Sequence, residues 1–196
     1  MAWKGIVGEG YSLEEFEHYV DKLTFGAWRP QFVVLHNTEI PRLSQWHDTP
    51  GKQRMRNLEV YYRDTQGWSA GPHLFVADDL IWVFTPLITS GVHSPSWNKL
   101  SWGVEMVGDY RTESFTTGLG KKVRDNAVQA IAVLHARLGL DPQTLKLHKE
   151  DKQTTHNCPG KNVQKSDFIQ RVQQQLIASF SGDHDPASGA SELIVV

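Results

Sequence analysis

The stretch Leu147-His-Lys-Glu-Asp-Lys-Gln-Thr-Thr-His-Asn-Cys-Pro-Gly-Lys161 holds two of the nine histidines and the single cysteine of the chain. An imidazole at His148 and a thiolate at Cys158, joined by a polar loop, form a donor pair suited to zinc. That ion accepts imidazole nitrogen at about 2.0–2.1 Å and thiolate sulfur at about 2.3 Å. Two donors do not make a site, so a third must come from elsewhere. The best candidate is His36, in Gln31-Phe-Val-Val-Leu-His-Asn-Thr38. The β-branched and aromatic run before it reads as a buried strand, with the histidine at its C-terminal end. Three protein ligands leave one zinc position open, which is the catalytic pattern rather than the structural one.

The elements that must position these groups are legible in turn. Ser12-Leu-Glu-Glu15 has capping-box spacing, and Leu13, Phe16, Tyr19, Val20 and Leu23 share a helical face, which predicts a helix over 12–23. A strand follows at 31–37. Residues 38–53 read as loop, and 52–66 as a helix whose tyrosines and Val60 weaken the pattern. Residues 72–77 and 80–85 flank Asp78-Asp79 and predict a hairpin. Trp102-Gly-Val-Glu-Met-Val-Gly108 reads as a further strand with Glu105 inside it. Val123, Ala127, Ile131, Leu134 and Leu138 predict a helix over 121–138 that Gly139 stops, and Ser166 opens a last helix over 166–179. Strands interleaved with helices predict a single α/β domain over 1–180, with one central mixed β-sheet flanked by helices. Residues 181–191 are rich in Gly, Ser, Asp and Pro, so 181–196 reads as a flexible C-terminal tail ending in apolar Leu193-Ile-Val-Val196.

Composition narrows the partners. The net charge of -2 gives no footing for a nucleic-acid partner. One cysteine excludes an internal disulfide and fits a metal-masked thiolate or a reduced compartment. No apolar run approaches the roughly 20 residues of a membrane span, so no membrane partner is expected. Residues 1–9 lack the continuous apolar core of a secretory signal. The expectation is a monomer made in the cytoplasm, which something else must release if it acts outside.

Four segments together resemble the zinc-dependent N-acetylmuramoyl-L-alanine amidases, the group that includes phage lysozyme-type amidases and peptidoglycan recognition proteins. They are Phe32-Val-Val-Leu-His-Asn-Thr38; residues 55–68 with Gly71-Pro-His-Leu-Phe-Val76; Val92-His-Ser-Pro-Ser-Trp-Asn98 with Trp102-Gly-Val-Glu-Met-Val107; and His148 through Cys158-Pro-Gly160. The likeness spans about residues 30–162. It implies hydrolysis of the amide between the lactyl group of N-acetylmuramic acid and L-alanine, with peptidoglycan or a muropeptide as partner. It also implies Zn2+ on His36, His148 and Cys158, with Glu105 as the catalytic acid–base. His93 would face substrate with Asn98 beside it, while Asn37 and Thr38 would orient the first ligand.

Two positions depart from the family pattern. Pro72 stands where some phage members carry a functional tyrosine, which places more of the base role on Glu105. His156 stands where many catalytic members have a lysine; a protonated imidazole there could stabilise an oxyanion, but in a pH-dependent way.

Plainer readings stand beside these. Glu105 could be a surface glutamate on an edge strand, His93 a loop histidine satisfied by a carbonyl, and His156 a solvated loop residue. His73 would pack beside the site, and His135 would be structural. His18, His47 and His184 would be exposed. Trp97 and Trp102 would stack on sugar rings or fill the core. The functional alternatives are a cytosolic muropeptide-recycling amidase, a non-catalytic peptidoglycan-binding module, and a cysteine peptidase using Cys158. In the resemblance, a cysteine ligand goes with phage-type enzymes, whereas recycling enzymes tend to use aspartate. That favours a phage or prophage endolysin.

Overall fold

The computed structural model describes residues 2–182. Six strands form one mixed sheet in the order β1-β4-β3-β5-β2-β6. They are β1 (Glu9–Tyr11), β2 (Phe32–Asn37), β3 (Leu74–Val76), β4 (Ile81–Val83), β5 (Ser101–Met106) and β6 (Lys146–Leu147). The four central strands behave as the hydrophobic runs suggest. β2 lies between β5 and β6, parallel to both. β5 is also parallel to β3, and the β3–β4 hairpin turns at Asp78-Asp79 with Leu74 opposite Val83. Parallel strands buried on both faces need continuous apolar character, which Phe32-Val-Val-Leu35 supplies.

Alternation along each strand sends side chains to two layers. Val33, Leu35, Trp102, Val104, Leu74 and Val76 enter the main core, packed by helices α1 (Leu13–Asp21), α3 (Gly118–Leu138) and α4 (Lys165–Gly182). The opposite face carries Phe75 and Trp82, which pack against Met55 of helix α2 (Gly51–Val60). Trp102 is fully buried and its indole N–H donates to the Leu87 carbonyl, so it fills the core rather than meeting a ligand.

Several boundaries shift for identifiable reasons. The expected capping box forms, with the Glu15 carboxylate accepting from the Ser12 N–H at 2.8 Å and the Ser12 hydroxyl accepting from the Glu15 N–H. The segment expected as loop over 38–53 contains a 3₁₀ turn, Leu43–Asp48, and the start of α2. The expected 52–66 helix ends its regular part at Val60 and continues as a π turn over Tyr61–Thr65. That widening falls where the β-branched and aromatic residues are, and Gly67 at φ 66° ends it. The last helix runs to Gly182; the rest of the expected 181–196 tail, with His184, lies outside the described residues.

His135 illustrates the core's demand for neutral groups. It is 1% exposed, and one ring nitrogen donates to the Leu140 carbonyl. Burial pushes its pKa down to about 4. The unfolded ring titrates near 6.5, so the stability gained by keeping it neutral is complete above about pH 6.5 and lost as pH falls toward 4. That loss is on the order of 3 kcal/mol. We expect urea midpoints of the wild type to fall more steeply between pH 7 and 4.5 than those of His135→Leu. Equal slopes would show that this ring does not govern acid sensitivity.

Candidate active site

Register places the chemistry. On the α2 side of the sheet one row runs across four strands: Trp82, Phe75, Glu105 and His36 are successive pairing partners. Leu35 pairs with Leu147, so the next residue of the β6 strand end, His148, continues the row beside His36. Two histidines 112 positions apart in the chain therefore stand with ring centroids 4.3 Å apart. Cys158 joins them from the following loop, its Sγ accepting the Asn37 backbone N–H at 3.3 Å. One donor atom from each of His36, His148 and Cys158 lies within 4.8 Å of the others.

Glu105 is on a central strand between β2 and β3, which removes the edge-strand reading. Its Oε1 is 3.9 Å from His36 Nδ1, and its side chain is 13% exposed. Its other oxygen, Oε2, is buried without a hydrogen-bond partner. Burial pushes the carboxyl up to about 8. Burial likewise pushes the Cys158 thiol up, with Glu105 adding to the effect. It also lowers His36, with His93 and His148 contributing, and lowers His148, with His156 contributing. The protein alone thus holds neutral imidazoles and a neutral thiol in a tight cluster.

That donor set fits zinc. Two imidazoles and one sulfur converge, the buried Nε2 of His148 has no protein partner, and a dication would offset the cost of a buried thiolate. A second cluster, His47 with Asp78 and Asp79, is largely solvated, and His47 Nε2 already pairs with Asp78 at 2.9 Å.

The cluster floors a cleft of about 740 Å³. Ile40 and Tyr61 line its exposed parts, Tyr62 and Trp68 stack at 5.1 Å along it, and Arg111 reaches it beside Glu39. Trp68 closes one of the segments that carry the family likeness, whereas Tyr62, in the π turn, and Arg111 show in the sequence only as an aromatic and a cationic residue, which are common without function. His156 is exposed, lines the cleft and stacks on His148 at 5.9 Å.

His93 lines the cleft beside His36 and is 7% exposed, with Nδ1 3.1 Å from His36 Nε2 and Nε2 3.3 Å from the Ser101 carbonyl, so both of its ring nitrogens have protein partners. Other expected placements differ. Asn98 does not line the cleft; its Oδ1 accepts the backbone N–H groups of His93 and Ser94 and shapes their loop. The Asn37 side chain donates to the Gly108 carbonyl and Thr38 Oγ1 donates to the Pro41 carbonyl, so neither side chain orients the His36 ring. They fix the end of β2 instead. His73 is buried beside the site as expected, its Nδ1 accepting from the Gly103 N–H. Asp151, unnoticed in the sequence, clamps the His93 loop to the His148 turn. Its carboxylate accepts from the Ser94 and Ser96 hydroxyls at 2.6 Å, while its N–H donates to the His148 carbonyl.

Residues 27–161 match the family model described as N-acetylmuramoyl-L-alanine amidase. The chain belongs to the N-acetylmuramoyl-L-alanine amidase family. Among curated relatives of this amidase-family chain is peptidoglycan-recognition protein LB of Drosophila melanogaster, 27% identical over 133 residues, covering 66% of this chain and 54% of that protein. Another is the human N-acetylmuramoyl-L-alanine amidase, 29% identical over 131 residues, covering 66% of this chain and 22% of that protein. The chain thus matches about half, or less, of the length of these relatives. A solved point mutant of Drosophila PGRP-LB in complex with tracheal cytotoxin superposes with a TM-score of 0.60 at 21% identity, covering 83% of this chain and 84% of that one. The endolysin amidase LysCS from Clostridium intestinale URNW gives 0.59 at 21% identity, covering 78% and 92%. Both share the fold of this amidase-family domain.

Proposed function

We propose that this chain is a zinc-dependent peptidoglycan amidase that cleaves the bond between the lactyl group of N-acetylmuramic acid and L-alanine, as a phage or prophage endolysin. The observation that carries the reading is the convergence of His36, His148 and Cys158 within 4.8 Å on the floor of a cleft, with Glu105 beside His36. His36, His148 and Cys158 would hold a zinc ion, which would supply Lewis acidity for activating water and polarising the scissile carbonyl. Glu105 takes the proton of the attacking water and delivers it to the L-alanine nitrogen as the C–N bond breaks. Its Oε1 lies on the His36 side of the cleft, 3.9 Å from His36 Nδ1. His156, on the cleft wall above His148, donates to the oxygen that gains charge as water adds to the carbonyl. No helix among the described residues is long and apolar enough to cross a membrane. The endolysin assignment rests on Cys158 as third donor, and the protein would then reach the wall after release.

Purified peptidoglycan digested with this protein should yield new lactyl and L-alanine ends by mass spectrometry, and a chelator should abolish them. Binding without new ends would mark a non-catalytic peptidoglycan-binding module. New ends that persist under chelation would remove the metal from the reaction.

The His156 role carries its own test. A lysine at this place also offers N–H donors to the cleft, so His156→Lys should keep activity. His156→Ala should keep zinc and lose roughly 10²–10³ in turnover, the usual worth of one oxyanion donor. Rate–pH profiles at matched zinc occupancy decide the matter, and superimposable wild-type and alanine profiles would make His156 a spectator.

A further inference from the structure

A buried relay of two histidines leads away from the metal ligands into the sheet. The Ser101 carbonyl can only accept, so the His93 Nε2 that lies 3.3 Å from it carries a hydrogen. A neutral imidazole has one donor and one acceptor nitrogen, so His93 Nδ1 presents a lone pair. That lone pair faces His36 Nε2 at 3.1 Å, and Nε2 must therefore be the protonated nitrogen of His36. The remaining nitrogen, Nδ1, is the one on the Glu105 side, 3.9 Å from Oε1. Both rings are at least 93% buried, which disfavours a charged imidazole in either place.

We propose that His93 is a positioning residue that sets the tautomer and ring orientation of His36, leaving Nδ1 as the metal-binding nitrogen. The sequence keeps space for it. The His93 ring lies over Gly103 of β5, where a Cβ would come within 2.3 Å of the ring's Cγ. Its loop is fastened by Asn98, whose Oδ1 accepts the His93 N–H at 2.7 Å, and by the Asp151 clamp on Ser94 and Ser96. Without the relay, His36 has no other hydrogen-bond partner for Nε2 among the described residues, and its ring can adopt either tautomer. An outer partner of this kind is typically worth 10–100-fold in metal affinity.

The metal arm of this inference rests on the zinc reading; the tautomer arm does not. The test compares wild type with His93→Asn, whose side-chain oxygen can replace the Nδ1 acceptor, and His93→Phe, which fills the space without one. Zinc dissociation constants come from competition with a chromophoric chelator, using Zn2+ alone as the probe. We expect His93→Phe to weaken zinc 10–100-fold and His93→Asn to recover most of that loss. In parallel, long-range ¹H–¹⁵N spectra of the metal-free wild type should show His36 protonated on Nε2. Zinc affinity in folded His93→Phe equal to wild type would overturn the relay. So would a wild-type His36 protonated on Nδ1, a measurement that stands even if the variants fail to fold. A wild type that takes up no zinc sinks the zinc reading instead, and the tautomer measurement still decides the relay.

Discussion

Glu105→Gln is expected to lower turnover on peptidoglycan by about 10²–10⁴-fold, the usual worth of a general acid–base, while zinc stays bound. Glutamine keeps the shape of the side chain and removes its ability to take a proton. Glu105 is not among the three converging donors His36, His148 and Cys158, so their arrangement should persist. The substitution also removes a carboxyl that burial disfavours in its charged form, so the variant should be no less stable than the wild type. In the metal-free protein, burial alone raises the carboxyl to about 8, and a dication held by His36, His148 and Cys158 would draw it back down, so zinc loading should lower the pH at which Glu105 titrates. Turnover, zinc content and peptidoglycan retention should be measured on the same preparation. Near-normal turnover would take Glu105 out of the mechanism, and loss of zinc would recast it as a metal-site residue.

Cys158→Ser is expected to lose both metal and stability. Sulfur is replaced by a hydroxyl that is a poor zinc ligand and does not ionise at neutral pH. Zinc affinity should fall by more than the 10–100-fold typical of removing an outer-shell partner. At free zinc about 1,000-fold above the dissociation constant, binding stabilises the wild type by about 4 kcal/mol, and the variant should forfeit most of that. Without zinc the two proteins should differ far less, because the serine hydroxyl can still accept the Asn37 N–H that now meets Sγ at 3.3 Å. Thermal unfolding with and without added zinc reads this difference directly. Full zinc content with abolished activity would point instead to Cys158 as a nucleophile and revive the cysteine-peptidase reading.

The chemistry was legible where it depended on residue type and local spacing. A lone cysteine followed by Pro-Gly, a histidine ten positions before it, and a histidine ending a β-branched run announced a donor set without any coordinates. The same holds for α3, whose apolar repeat and Gly139 stop are properties of one helix, and for the capping box of α1. What remained hidden depended on pairing between distant segments. β1 and β6 have three and two residues, too short to show a period, and exist because the edges of β4 and β2 accept them. The setting of Glu105 was open until the parallel register placed β5 between β2 and β3 and set the carboxyl beside His36. His93 shows the limit most clearly. Its residue type is compatible with a substrate contact, a satisfied loop residue or a support for a ligand. Its partners appear only in the tertiary structure, because the glycine that makes room at 103, the carbonyl at 101 and the imidazole at 36 come from two neighbouring strands. A hydrogen bond's direction follows from what stands at both ends of it, and the sequence by itself supplies one end at a time.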